Sequence, residues 1–220
     1  NALRAEGKDV LVLAAGEPDF ETPSNIRKAA FDAIESGQTR YVPGKGTPAL
    51  QKAIQSKFLK DNNIKYDLDE IIVGVGGKHI IYNAMMATIN TNDEVIIPAP
   101  FWVSYPDIVL LAEGKPVIVE CPESQNFKIT ATQLENNITD KTKWLMLNSP
   151  SNPTGSLYSK TELEELAEVL LKYPKVLIMS DDIYEKIIYD NLEFVTLASV
   201  EPKLKERCLT LNGVSKAYCM

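Results

Sequence analysis

Lys216 closes the string Asn212-Gly213-Val214-Ser215-Lys216, just beyond the apolar run Leu209-Thr210-Leu211. A lysine delivered by a buried strand end, partly withdrawn from water, can act as a nucleophile. A second apolar run, Val176-Leu177-Ile178-Met179, delivers Ser180-Asp181-Asp182-Ile183-Tyr184-Glu185. An aspartate in that position is poorly solvated, so Asp181 wants a cationic partner. Leu145-Met146-Leu147 runs into Asn148-Ser149-Pro150-Ser151-Asn152-Pro153-Thr154-Gly155, whose prolines and glycine stiffen the loop and fix where Asn152 points. Val95-Ile96-Ile97 ends in Pro98-Ala99-Pro100-Phe101-Trp102, and a tryptophan there can lie flat on a planar ligand. Ile71-Ile72-Val73 leads into Gly74-Val75-Gly76-Gly77-Lys78-His79, where small residues ahead of a helix let backbone N–H groups approach a phosphate. That string is neither G-x-G-x-x-G nor G-x-x-x-x-G-K-[ST], so it is not a dinucleotide or P-loop fingerprint. Singly, each group has an ordinary structural account: a tight turn, a core tryptophan, a turn asparagine. The ordered set of phosphate turn, aromatic plate, amide, carboxylate, phenol and lysine does not.

For these groups to meet, the runs that carry them must be neighbouring strands. The runs, with Val117-Ile118-Val119 among them, lack polar alternation, which is the pattern of strands covered on both faces. Helical signals lie between them. Thr22-Pro23 predicts the start of a helix with Ile26, Ala30, Ala33 and Ile34 on one face and Gly37 as its stop, and Thr47-Pro48 repeats the device. Thr130 with Gln133, and Ser159 with Glu162, predict capping boxes. Strands alternating with helices imply an α/β fold with a mostly parallel sheet flanked by helices. In such sheets, ligands bind beyond the carboxyl ends of the strands, where the polar groups above fall. Residues 1–40 are expected to form an N-terminal arm and helix, and 41–220 the α/β domain.

Composition removes other classes. The 220 residues carry a net charge of −7, with 45% hydrophobic and 24% charged side chains, the balance of an ordinary globular protein. A pI near 4.9 argues against nucleic-acid and anionic-membrane partners. No apolar run approaches the roughly 20 residues of a membrane span. Three scattered cysteines and one histidine make no zinc site, and the reading is of a reduced, cytoplasmic protein without a metal.

The strings GEPDF, GGKH, PAPFWVSYP, NSPSNPTG, SDDIYE and NGVSKAYCM together resemble those of the class I pyridoxal-phosphate aminotransferases, in particular the bacterial aspartate aminotransferase branch. The resemblance covers essentially the whole chain. It implies the large domain of a fold type I pyridoxal 5'-phosphate enzyme, truncated before a C-terminal small domain that is absent from this chain. It also implies a cytoplasmic homodimer acting on an amino acid and a 2-oxo acid, with aspartate or glutamate as donor. Lys216 would join the cofactor's aldehyde and shuttle a proton, and Asp181 would pair with the pyridinium nitrogen. Trp102 would stack on the ring, and Asn152 and Tyr184 would hydrogen-bond its phenolic oxygen. Gly76, Gly77, Lys78 and Ser215 would lie on the phosphate side. Gly16, in Ala14-Ala15-Gly16-Glu17-Pro18, resembles the glycine beside the substrate carboxylate, toward which Trp102 and Asn152 would also turn. Tyr41 resembles a tyrosine that reaches the neighbouring subunit's phosphate, and Lys78 one that meets an acidic substrate's distal carboxylate. Asp182 departs from the glutamate usual in SDEIYE. A C–S lyase or another aminotransferase of this fold, or a non-catalytic cofactor-binding and dimerisation fragment, are the alternatives.

Overall fold

The computed structural model describes residues 2–11 and 16–220. Ala14 and Ala15 of the Gly16 motif lie outside the described residues. The chain opens with α1 (Ala2–Ala5), α2 (Ser24–Glu35), α3 (Pro48–Asn62) and α4 (Gly77–Thr88). There follow β1 (Glu94–Ala99), α5 (Ser104–Leu111), β2 (Lys115–Glu120), α6 (Ala131–Asn137) and β3 (Thr142–Asn148). The last part holds α7 (Lys160–Lys172), β4 (Leu177–Asp181), α8 (Leu197–Val200), α9 (Pro202–Lys205), β5 (Cys208–Leu211) and α10 (Val214–Ala217).

The five strands form one all-parallel sheet in the order β2-β1-β3-β4-β5. The central strands β1, β3 and β4 are apolar runs buried against helices on both faces, which is why they lack alternation, while the edge strand β2 leaves Ile118 exposed. On one face Ile96, Leu145, Leu147, Ile178 and Cys208 pack with Phe58 of α3, Leu134 of α6 and the α7 stripe Leu163, Leu166, Ala167 and Leu170. On the other, Val95, Ile97, Met146, Met179 and Leu211 pack with Ile81 and Met85 of α4 and Tyr105, Ile108 and Val109 of α5. The strand order reverses between β1 and β3, so the crevice outside their carboxyl ends is where such a sheet accepts a ligand.

Local signals mark the helix starts. Thr47 accepts the Leu50 N–H at 3.2 Å, and Pro48 opens α3. Thr130 and Ser159 form the expected capping boxes with Gln133 and Glu162. Two expectations need correction. Ile71-Ile72-Val73 is extended but belongs to no strand: Ile71 is buried while Ile72 is 61% exposed, and no ladder partner lies beside it among the described residues. Thr22 does not cap α2. Its hydroxyl donates instead to the Cys219 carbonyl, tying the entry of α2 to the segment after Lys216. The stripe on α2 buries nothing, and Ile34 is exposed.

Candidate active site

Parallel pairing sets the carboxyl ends of the strands side by side. Asn148 at the end of β3 is registered with Asp181 at the end of β4, and Asp181 with Leu211 at the end of β5. The Asn148 side-chain amide donates to the Asp181 carbonyl at 2.8 Å, and its Oδ1 accepts the Asn152 N–H at 2.7 Å. Asn152 is thus tied to the strand edge by its own backbone.

Asp181 is buried. Its Oδ2 accepts the Tyr105 hydroxyl at 2.6 Å, and its Oδ1 the Ile183 N–H at 3.3 Å. Among the described residues it has no ion-pair partner. Burial pushes its carboxyl up to about 6, and the two hydrogen bonds hold it down against that pressure. Burial and the Asp181 charge raise the Tyr105 phenol well above its ordinary range, so it stays a donor. The Tyr105 ring meets Trp102 edge-on, with centroids 5.5 Å apart at 89°. Lys78 Nζ stands 5.0 Å from the Trp102 ring.

On the other side of Asp181, burial raises the Tyr184 phenol, the Asp181 charge adds to it, and a hydrogen bond with Asn152 opposes it. Lys216 Nζ lies 5.7 Å from the Tyr184 ring and donates to the Gly16 carbonyl. Gly16, Ser215 and Lys216 line one cleft of about 390 Å³ with Glu17, Phe20 and Thr22. Gly76, with φ +83, caps α4, and a Cβ on Gly77 would sit 3.5 Å from Leu211, so the glycine turn lies against the end of β5. Asn212, just past β5, has a buried side-chain nitrogen without a partner among the described residues.

Lys78, Trp102, Tyr105, Asp181, Asn148, Asn152, Tyr184, Lys216 and Gly16 therefore form one connected edge. Ser215 lies in its cleft. Tyr41 is fully exposed and meets none of these groups within its own chain. Sequence reading did not single out Tyr105 or Asn148, although both fall inside quoted strings; nothing in residue type separates Tyr105 from a core tyrosine.

A sequence model for "Aminotransferase class I and II" matches residues 8–220. The chain is 59% identical over 218 residues to a "Probable aspartate/prephenate aminotransferase" of Rickettsia bellii, covering 99% of this chain and 55% of that relative. It is 54% identical to the crystal structure of the aspartate aminotransferase from Rhizobium meliloti, with a TM-score of 0.96 over 100% of this chain and 55% of that one. A Thermus thermophilus aspartate aminotransferase crystallised with maleate is 40% identical, with a TM-score of 0.94 over 100% and 56%. The chain spans about half the length of the curated relatives it matches.

Proposed function

The chain belongs to the class I and II aminotransferases, and from that premise we propose that its protein moves an amino group between aspartate or glutamate and a 2-oxo acid, using pyridoxal 5'-phosphate held by Lys216. The observation that carries this reading is the pairing of a buried, cation-free Asp181 with Lys216 at the carboxyl edge of adjacent strands, with Tyr184 between them.

The residues fit that cofactor. Asp181 is a buried carboxylate lacking a positive partner, which a ring N–H⁺ would supply. Among the described residues the buried Asn212 amide nitrogen lacks an acceptor, and the first-turn N–H groups of α4 lack intrahelical partners, which an anion would supply. When bound, the cofactor supplies a sink for the electron pair left on the substrate's α-carbon. Asp181 would hold the proton on the ring nitrogen, and Trp102 would cover the ring and keep water from it. Asn152 and Tyr184 would donate to the ring's phenolic oxygen. Gly76, Gly77, Lys78 and Ser215 would take the phosphate. Lys216 would move a proton to and from the substrate's α-carbon through its Nζ. Gly16 would approach the substrate's α-carboxylate, and Lys78 its distal one.

Tyr41 supports a homodimer, since its fully exposed phenol meets no partner among the described residues and would reach a partner's phosphate. No helix among the described residues is long and apolar enough to cross a membrane. The three free cysteines fit a reducing cytoplasm. Residues 41–220 would be the large, cofactor-binding domain and 1–40 an arm.

Borohydride reduction of the full-length protein followed by mass spectrometry tests the assignment. Wild type gains the mass of reduced cofactor, and Lys216→Ala does not; cofactor bound covalently in the variant sinks it. Aspartate and glutamate should outperform alanine and phenylalanine as donors. Several relatives are named for aspartate and prephenate, so prephenate should be tried beside 2-oxoglutarate as acceptor. Ammonia or thiol release without an added oxo acid would favour a lyase instead.

A further inference from the structure

The glycine turn ahead of α4 has almost nothing of its own to hold it. Three of its four residues are glycines, which lose the most conformational freedom on ordering. Its fourth, Val75, is 90% exposed and packs on nothing. Gly76 takes a φ of +83 that favours glycine, and its N–H donates back to Gly74 at 3.1 Å. The Gly76 carbonyl accepts the Ile80 N–H at 3.4 Å, and a side chain adds a further tie: the Val75 N–H donates to His79 Nδ1 at 3.1 Å.

His79 is the third residue of α4 and the one histidine of the chain. Its ring packs so closely that a Cβ on Gly74 would come within 2.9 Å of Nδ1. With Nδ1 accepting, the neutral ring carries its proton on Nε2, and the Asn83 amide, 2.9 Å from Nε2 one helical turn on, accepts that proton when its oxygen rather than its nitrogen is turned to the ring. The helix therefore fixes the ring, and the ring fixes the loop.

We propose that His79 is a positioning residue, whose Nδ1, by accepting the Val75 N–H, holds the turn Gly74–Gly77 in the shape that receives the cofactor's phosphate. This rests on the reading of that turn as the phosphate site. His79 itself touches neither cofactor nor substrate. Among the described residues no carboxylate lies within ion-pair distance of His79, and Lys78 beside it is the neighbouring cation, with its Nζ turned to Trp102.

The test is titration of full-length apoprotein with pyridoxal 5'-phosphate, followed by the absorbance of the bound cofactor. His79→Asn places an amide oxygen near the Nδ1 position and keeps an acceptor; His79→Leu keeps bulk and removes it. At pH 8, Leu should weaken cofactor binding by about two- to tenfold, the range for one lost hydrogen bond, while Asn stays within about twofold of wild type. A split between Leu and Asn is one that lost packing alone would not produce. Leu binding as tightly as wild type overturns the proposal, and so does Asn binding as weakly as Leu, which would make the ring a packing element. A wild type that binds no cofactor at all overturns the functional reading, and this proposal with it.

Discussion

Tyr105→Phe isolates one hydrogen bond on the residue that matters most for the cofactor. The phenylalanine ring keeps the edge-on contact with Trp102 and removes the hydroxyl that lies 2.6 Å from Asp181 Oδ2. Burial alone drives the Asp181 carboxyl upward, and the Tyr105 hydroxyl is the larger of the two hydrogen bonds restraining it at about 6. A hydrogen bond to a charged group is worth about 1.5–3 kcal/mol, and one pH unit corresponds to about 1.4 kcal/mol, so its loss should raise the carboxyl by about one to two units. A carboxyl raised in this way is ionised only above its new value, and only the ionised form pairs with a protonated ring nitrogen. Taking a rise to about 7.5, the ionised fraction at pH 7 drops from roughly nine-tenths to one quarter. Cofactor binding by the apoprotein should then weaken about fourfold at pH 7 and about fifteenfold at pH 6, and converge with wild type above about pH 9. The assay is the dissociation constant of pyridoxal 5'-phosphate measured across pH. Titration of the cofactor's own phosphate is common to both proteins and cancels in the ratio. A ratio that does not change with pH would refute the coupling, because it would mean the phenol acts by packing.

Two further predictions concern stability, each read by urea unfolding. Burial pushes the fully buried Asp182 carboxyl up to about 8; its Oδ1 accepts the Ser180 hydroxyl at 2.8 Å and its Oδ2 has no partner. An acid whose folded value lies above its unfolded one near 4 costs stability as pH rises between the two, so Asp182→Asn should gain nothing near pH 4 and on the order of 5 kcal/mol by pH 8. An equal gain at both pH values would contradict this. Glu185 is nearly buried, with Lys57 Nζ at 2.5 Å and the Asn62 amide at 2.9 Å, and it anchors the turn carrying Tyr184 to α3. Glu185→Ala removes the carboxylate from both, leaving Lys57 only the Asn62 Oδ1 at 2.6 Å, and should cost about 3 kcal/mol, while Glu185→Gln, which keeps the Asn62 contact, should cost visibly less.

What could be read ahead of the structure was whatever depends on short-range chemistry. The capping boxes at Thr130 and Ser159 need only residues three apart, and both form. Five of the six apolar runs are strands, and in the central ones helices on both faces of the sheet demand uninterrupted apolar character. Ile71-Ile72-Val73 has the same composition, but a strand also needs a neighbour, and composition does not report one. Thr22 looked like a cap and spends its hydroxyl on Cys219, 197 residues away. Tyr105 reaches Asp181 across 76 residues because α5 follows β1 and folds back over the sheet. Such pairings are products of topology, and a string of residues does not display them.

The two adjacent aspartates show where period and topology meet. Successive side chains along a strand face opposite sides of the sheet. Met179 belongs to the cluster with α4 and α5, so Asp181 faces that side, where Tyr105 and Trp102 wait. Ile178 belongs to the cluster with α7, so Ser180 faces that side. The Asp182 N–H donates to the Leu211 carbonyl at 2.9 Å, which continues the pairing of β4 with β5 by one residue, and Asp182 joins Ser180. One carboxyl therefore belongs to the ligand edge and the other to the core, although both are buried and both are raised. Their burial alone would not tell them apart; their parity does. It follows that the acidic pair is not a shared proton site. Asp181→Asn should act on cofactor binding and Asp182→Asn on stability, and any variant that exchanges those two effects would mean the alternation breaks at the end of β4.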